Sequence, residues 1–160
     1  MQIDANRSDQ PVIVMNRTFD APIDVVWSIF VDPKHVKHWY GGDGFSNPVC
    51  EMDVRPGGLW HHVMRLPNGM EFAMDFVFIE VEKPTKLVWQ AVDHETRPAG
   101  GPPSARMTVT LQAHGQQTHW QLVSQFKSFA DRDAANQIGF AATIAQGSNK
   151  LNELAKALRG

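Results

Sequence analysis

The sequence predicts an α+β fold in which a curved antiparallel sheet of about six to seven strands surrounds a long C-terminal helix. Three observations support this prediction. Apolar and polar residues alternate through the middle of the chain, and turn signals separate the runs. Residues 131–158 carry an apolar stripe at helical spacing. Two short helical segments follow the first strand candidate, so along the chain the helices precede and follow the main run of strands.

The N-terminal part begins with a polar segment, and we expect a disordered tail at 1–10 followed by a single domain at 11–160. β-Branched residues at 11–20 indicate the first strand. Two short helices are predicted next, at 23–32 and 32–40. A proline stands in the first turn of each, where its missing N–H costs nothing.

Six further strand candidates follow, and short turns containing proline or glycine separate most of them. They are residues 49–54, 59–66, 71–82, 86–92, 105–113 and 118–126. The exception is 93–104, where three prolines and two glycines predict one long loop. Such a loop is either a lid over a binding site or an exposed hairpin connection.

The predicted C-terminal helix would be about 40 Å long at 1.5 Å per residue. Its apolar stripe consists of Phe140, Ile144, Gly147, Leu151, Leu154 and Leu158. The stripe must lie across the sheet, because a helix this apolar on one side does not stand free in water. Small residues make the first half thin, so this half either packs very closely against the sheet or leaves a gap.

Composition excludes several classes of function. The formal net charge is −2, from 15 basic and 17 acidic residues. The sequence has no run of Lys or Arg, so we expect no nucleic-acid partner. No apolar run reaches the ~20 residues that membrane insertion needs. Cys50 is the one cysteine, so no internal disulfide forms, and with a polar N-terminus we expect a cytoplasmic protein. No cofactor motif is present, and we expect no cofactor.

Several phrases of sequence occur in an order that is typical of one family. They are the segments 19–45, with FDAPIDVVWSIFVDPKHVKHWYGGDGF, 53–60, with DVRPGGLW, 67–72, with PNGMEF, and 81–89, with VEKPTKLVW. Over 11–158 the chain resembles the AHSA1-type branch, named after the activator of Hsp90 ATPase homologue, of the START-like or Bet v1-like (SRPBCC) superfamily. The resemblance implies a helix-grip fold with a cavity between the sheet and the long helix.

One position departs from the family pattern. Many members have a small residue in the middle of the fourth strand, near the place where this chain has Phe76. A phenylalanine there would fill part of the cavity, which argues against a large ligand.

Aromatic and methionine side chains dominate the predicted inner face, with a few polar groups among them, as in small-molecule pockets. The candidates for lining the cavity are Trp39, Tyr40, Trp60, His62, Met64, Phe72, Met74, Phe76, Trp89, Met107, Trp120, Ser124, Phe126, Phe140, Thr143 and Ile144. For most of them the alternative is a closed hydrophobic core.

The histidines and the cysteine are the candidates for catalytic or metal-binding chemistry. His62 lies between Trp60 and Met64 on the predicted cavity face, where it would bond a ligand, act as acid or base, or hydrogen-bond within the core. Metal sites need three or four convergent ligands, and no HExxH or CxxC motif occurs, so we expect no metal. Cys50 is interpreted as a small buried hydrophobic residue.

Three functions remain open at this stage. The favoured one is a non-catalytic binding protein for a small apolar, aromatic or lipid-like molecule. The second, implied only by the resemblance, is a co-chaperone or stress-response domain that meets an Hsp90-type chaperone through its surface. The third is a cyclase- or hydrolase-like enzyme that uses His62 or Tyr40 in the cavity. The sequence does not determine the oligomeric state, and a homodimer stays open as one alternative.

Overall fold

The computed structural model describes residues 1–93 and 101–160, which form eight strands and four helices. The strands are β1 (Gln2–Asp4), β2 (Val12–Phe19), β3 (Ser46–Met52), β4 (Leu59–Arg65), β5 (Glu71–Glu82), β6 (Lys86–Ala91), β7 (Ala105–His114) and β8 (Gln117–Phe126). The helices are α1 (Ile23–Val31), α2 (Pro33–Trp39), α3 (Phe129–Gln137) and α4 (Phe140–Leu158). The strands form one antiparallel sheet in the order β1-β2-β8-β7-β6-β5-β4-β3. The predicted α+β class, with a sheet around a C-terminal helix, is confirmed.

The N-terminal segment differs from the disordered tail predicted for 1–10. Its strand β1 pairs with β2 at the edge of the sheet. Beyond β1, Arg132 Nη1 donates to the Arg7 carbonyl at 2.9 Å, and Asn136 Nδ2 donates to the Ala5 carbonyl at 2.8 Å. The backbone therefore finds its partners in β2 and α3, although the segment has few apolar side chains to bury.

The predicted single helix over 131–158 is wrong at one point, because the chain forms two helices there. Gly139, the residue before α4, has a φ of 80°. This left-handed conformation costs other residues roughly 1–2 kcal/mol, and glycine adopts it freely. The turn ends α3 and redirects the chain. Helix α4 has 19 residues and is about 28 Å long.

The core lies between the inner face of the sheet and the helices. Neighbouring strands place Trp60 opposite Phe76 and Phe78 opposite Trp89. The Trp60 ring is 4.8 Å from that of Phe76, 6.0 Å from that of Phe78 and 5.4 Å from that of Trp89, measured between centroids. All four side chains are buried. The predicted alternation of these strands is confirmed, and this aromatic cluster fills one part of the interior.

Hydrogen bonds hold α4 to the sheet side of the molecule. Asn152 Nδ2 donates to Asp20 Oδ2 at 2.9 Å, and the Asp20 backbone N–H donates to Asn152 Oδ1 at 2.8 Å. Arg17 Nη1 on β2 donates to Ser148 Oγ at 3.0 Å. The second half of α4 is therefore fixed against the chain around β2, and its first half extends over the remaining inner face.

Candidate ligand cavity

A cavity of about 250 Å³ lies between the inner face of the sheet, α2 and the first half of α4. Most of the residues predicted to line a cavity do line it. They are Trp39, Tyr40, Met64, Phe72, Met74, Trp89, Met107, Trp120, Phe140, Thr143 and Ile144. Because these residues come from five different strands and two helices, the walls are built by rigid elements rather than by one loop.

Several further residues line the cavity that were not among the predicted ones. Val109 and Leu122 follow Met107 and Trp120 at the strand period of two, so the alternation already placed them on the inner face. Phe30 reaches the cavity from α1. Leu66 ends the predicted strand 59–66 and follows Met64 at the same period of two. Three others, Gly41, Phe45 and Ile138, lie in connections, where the strand and helix periods do not apply.

Close packing of α4 on the end of α2 sets one wall of the cavity. A Cβ atom at Gly147 would lie 2.8 Å from the Trp39 carbonyl oxygen and 3.0 Å from the Gly41 carbonyl oxygen. Glycine therefore lets the helix backbone touch the turn after α2. The thin half of α4 was expected either to pack very closely or to leave a gap, and both occur. The helix packs closely at Gly147, and the cavity lies beside Thr143 and Ile144.

Five predicted residues do not belong to this cavity, and the structure corrects them. Trp60 is enclosed by the aromatic cluster, and Phe126 packs against Phe140 with ring centroids 5.4 Å apart. Ser124 is fully buried away from the cavity. Phe76 borders only a neighbouring space of about 70 Å³. The fifth residue is His62. All five lie on the inner face, but other side chains cover them, which the strand pattern alone does not show.

The Phe76 ring limits the space available to a ligand. It is buried and packs against Trp60. The volume that a small residue would leave open at this position is therefore occupied by the ring, which borders a neighbouring space of about 70 Å³.

His62 is a structural residue in the core. Its Nδ1 accepts a hydrogen bond from Trp60 Nε1 at 3.2 Å, so its Nε2 carries the proton and donates to Asn47 Oδ1 at 2.7 Å. Asn47 Nδ2 in turn donates to the carbonyls of Lys37 and Tyr40 at 2.8 and 3.0 Å. This chain of hydrogen bonds ties β4 through β3 to the end of α2.

The same arrangement removes His62 from the chemistry of the cavity. The Tyr40 ring lies 4.3 Å from the imidazole, between centroids, and it is Tyr40 that lines the cavity. Burial lowers the pKa of His62 to about 4, with a smaller contribution from the charge of His61. The imidazole is neutral at pH 7 and uses both nitrogens within the protein. Neither ring nitrogen is therefore left free for a molecule in the cavity.

Polar groups are few in the cavity wall. Tyr40 Oη lies 3.9 Å from Met74 Sδ, and Trp39 Nε1 donates to the Ile29 carbonyl at 3.1 Å. Thr143 adds a hydroxyl from α4. Trp120 Nε1 is buried and makes no hydrogen bond to any atom of the described residues. The cavity is therefore an apolar space with a small number of hydrogen-bonding groups at its edge.

Cys50 faces inward opposite His62 on the neighbouring strand. Burial raises the pKa of its thiol to about 11. The thiol is therefore protonated at neutral pH, as suits a small hydrophobic side chain and not a nucleophile.

Within residues 1–93 and 101–160, no group of three or more histidine, cysteine or carboxylate side chains is close enough to hold a metal ion. His61, on the outer face of β4, pairs with Asp75 at 2.6 Å. None of the helices in the described part of the chain has the length and apolar character needed to cross a bilayer.

The loop predicted at 93–104 lies partly outside the described residues, which exclude 94–100. Of its described part, Gly101 and Pro102 line the cavity. Ser104 Oγ donates to Asp93 Oδ1, and Lys127 Nζ donates to Asp93 Oδ2 at 2.7 Å. Whether the loop is a lid stays a prediction, but its C-terminal end borders the cavity.

The family and the solved structures that this chain resembles agree with the fold described above. The family model for activator of Hsp90 ATPase homolog 1-like proteins matches residues 20–158. No curated protein matches the chain.

Solved structures show the same architecture. A crystal structure of a Nitrosomonas europaea protein is 24% identical with a TM-score of 0.84, and the alignment covers 94% of this chain and 97% of that one. A solution structure from Arthrobacter aurescens is 19% identical with a TM-score of 0.87, covering 98% and 91%. A Mycobacterium smegmatis protein is 20% identical with a TM-score of 0.80, covering 100% and 96%. At these identities the likeness establishes the fold.

Proposed function

The chain belongs to the family of activator of Hsp90 ATPase homolog 1-like proteins, and on this premise we propose that it binds a small apolar or aromatic molecule without transforming it. The observation that carries the proposal is the 250 Å³ cavity, whose wall is built from aromatic and methionine side chains on rigid elements. Apolar cavities with a few placed polar groups are the usual form of small-molecule sites.

Volume limits the ligand. A cavity of about 150 Å³ lined by apolar side chains can hold benzene. The volume of 250 Å³ therefore suits a molecule of about two rings. Drug-sized ligands occupy pockets of roughly 300–1,000 Å³, so a compact molecule fits better than a long lipid.

Binding is better supported than catalysis. The imidazole that sequence reasoning offered as acid or base is neutral, fully buried and bonded at both nitrogens. Tyr40 remains in the cavity wall, where its ring covers His62 and its hydroxyl lies beside Met74. The residues of the wall supply contact area rather than a proton-transfer pair.

Titration calorimetry with naphthalene tests the proposal, and neighbouring positions on α4 provide a matched pair of variants. Thr143 lines the cavity, whereas Ala142 is exposed and does not. We expect micromolar to millimolar binding to the wild type and to Ala142→Phe. Thr143→Phe places a ring in the space, and we expect at least about tenfold weaker binding, equivalent to ~1.4 kcal/mol.

The control separates filling the cavity from adding an aromatic ring to the helix. Equal affinities for the two variants would place naphthalene somewhere other than this cavity. No measurable binding to the wild type would contradict the proposal for ligands of this size. Native mass spectrometry of protein purified from its own host then identifies a natural ligand as a mass lost on denaturation.

A further inference from the structure

One accessible hydroxyl in the cavity wall has no partner among the described residues. Thr143 lines the cavity from α4 and is half-buried, and its backbone N–H donates to the Gly139 carbonyl at 3.0 Å. Its Oγ1 makes no hydrogen bond to any described residue. Trp120 Nε1 and Ser124 Oγ also lack partners there, but both atoms are enclosed by the protein. The Thr143 hydroxyl is not enclosed in this way, so another molecule can reach it.

Two serines show how other helical hydroxyls of this protein are bonded. Ser28 Oγ on α1 donates to the Val25 carbonyl at 2.6 Å. Ser148 Oγ, on the same helix as Thr143, donates to the Ala145 carbonyl at 2.7 Å. Serine and threonine hydroxyls in helices often bond the preceding turn in this way. The Thr143 hydroxyl does not, so it keeps both its donor and its acceptor capacity for another partner.

The apolar stripe of α4 places this hydroxyl on the side of the helix that faces the cavity. Thr143 lies about one turn after Phe140 and one turn before Gly147, and all three residues line the cavity. The preceding residue, Ala142, is exposed and does not line it. Valine has the same branched shape and would cover the same part of the wall. The hydroxyl is therefore a feature of this position that packing does not require.

We propose that Thr143 determines which ligands the cavity prefers, because its hydroxyl hydrogen-bonds the oxygen of a hydroxyl or carbonyl group on an otherwise apolar ring molecule. This inference rests on the proposed function and narrows its ligand class. Aromatic, methionine and aliphatic side chains form most of the wall, so the rest of the ligand is hydrophobic. A hydrocarbon of the same shape would fill the cavity but leave the Thr143 hydroxyl without a partner.

Matched two-ring probes isolate this hydrogen bond. The compounds 1-naphthol and 2-naphthol differ from naphthalene in one hydroxyl group, which the two isomers present at different positions of the ring. Titration calorimetry gives their dissociation constants for the wild type and for Thr143→Val, which exchanges the hydroxyl for a methyl group. For at least one naphthol, we expect the ratio of the dissociation constant of naphthalene to that of the naphthol to be about fivefold higher in the wild type. Taking the ratio within each protein cancels the difference in hydration between the probes.

Two further variants separate the hydrogen bond from a change of shape. Thr143→Ser keeps the hydroxyl and removes the methyl group, so we expect it to retain the wild-type ratio. Thr110→Val makes the same exchange as Thr143→Val at an exposed position of β7 that does not line the cavity, and its ratio should also be that of the wild type. A ratio that falls as far in Thr143→Ser or Thr110→Val as in Thr143→Val would overturn the inference.

The outcomes separate this inference from the function on which it rests. If the probes bind and the ratios for both naphthols are the same in the wild type and Thr143→Val, the inference is overturned while the cavity remains a binding site. If neither naphthalene nor a naphthol binds the wild type, both are overturned. A ratio that is higher in the wild type and Thr143→Ser than in Thr143→Val supports both.

Discussion

Acid should destabilise this protein through His62, and the burial of that side chain sets the size of the effect. The pKa of His62 is about 4 in the folded protein, against an ordinary value of 6.5. The neutral ring accepts a hydrogen bond from Trp60 and donates one to Asn47. Protonation at Nδ1 would place two donors, the Trp60 N–H and the imidazolium N–H, against each other inside the core.

The magnitude follows from the two pKa values. As the pH falls below 6.5 the unfolded chain takes up a proton at His62, whereas the folded chain does so only near pH 4. The contribution of the neutral His62 side chain to the free energy of unfolding is therefore fully present above about pH 6.5 and is lost as the pH falls towards 4. At about 1.4 kcal/mol per pKa unit, the free energy of unfolding at pH 4 is lower by roughly 3 kcal/mol than at pH 7 from this residue alone.

Urea unfolding at pH 7, 6, 5 and 4, followed by far-ultraviolet circular dichroism, measures the effect. Other groups also titrate in this range, so His62→Gln is compared with the wild type. Its stability at pH 7 is lower, by about 1–3 kcal/mol, because it leaves core hydrogen bonds unmade. Its further loss between pH 7 and pH 4 should be smaller than that of the wild type by roughly 3 kcal/mol.

The neighbouring histidine gives a matched control. His61 lies on the outer face and pairs with Asp75, so His61→Gln keeps the buried imidazole. It should retain the extra acid sensitivity of the wild type. Equal losses between pH 7 and pH 4 for the wild type and His62→Gln would refute the reasoning. A proton resonance of the His62 ring that titrates near pH 6.5 in the folded protein would refute it directly.

Two further predictions concern packing and reactivity. Gly147→Ala should lower the free energy of unfolding by about 1–3 kcal/mol, because its Cβ would lie 2.8 Å from the Trp39 carbonyl oxygen. Ala145→Gly, nearby on the same helix, should lose only the ~1 kcal/mol of helix propensity, and urea unfolding that ranks the two the other way would contradict the contact. Cys50, with a pKa of about 11, should react with Ellman's reagent at pH 8 far more slowly in the native protein than in urea. Equal rates would show that the thiol is accessible and ionised.

Sequence periodicity determined the strands and the inner face, and the order of short sequence phrases indicated the family. The alternation in β7 and β8 placed Met107 and Trp120 on the wall of the cavity, because side chains on a strand change sides at every residue. The apolar stripe of α4 likewise placed Phe140 and Ile144 there. These signals are local, and neighbouring residues carry all the information they need.

Only the tertiary structure decided which inner-face residues meet the cavity and which are covered. His62 and Trp120 both follow the inner-face pattern, yet Tyr40 covers the first and the second lines the cavity. The two residues differ because side chains from distant parts of the chain converge in the interior and cover one inner-face residue but not the other. The pattern also did not reveal the break before α4, since the apolar stripe begins only at Phe140 and no periodicity marks the left-handed backbone of Gly139. Periodicity indicates the face of the strand or helix on which a residue lies. The residues that it contacts across the interior depend on how separate elements pack together, and no single stretch of sequence contains that information.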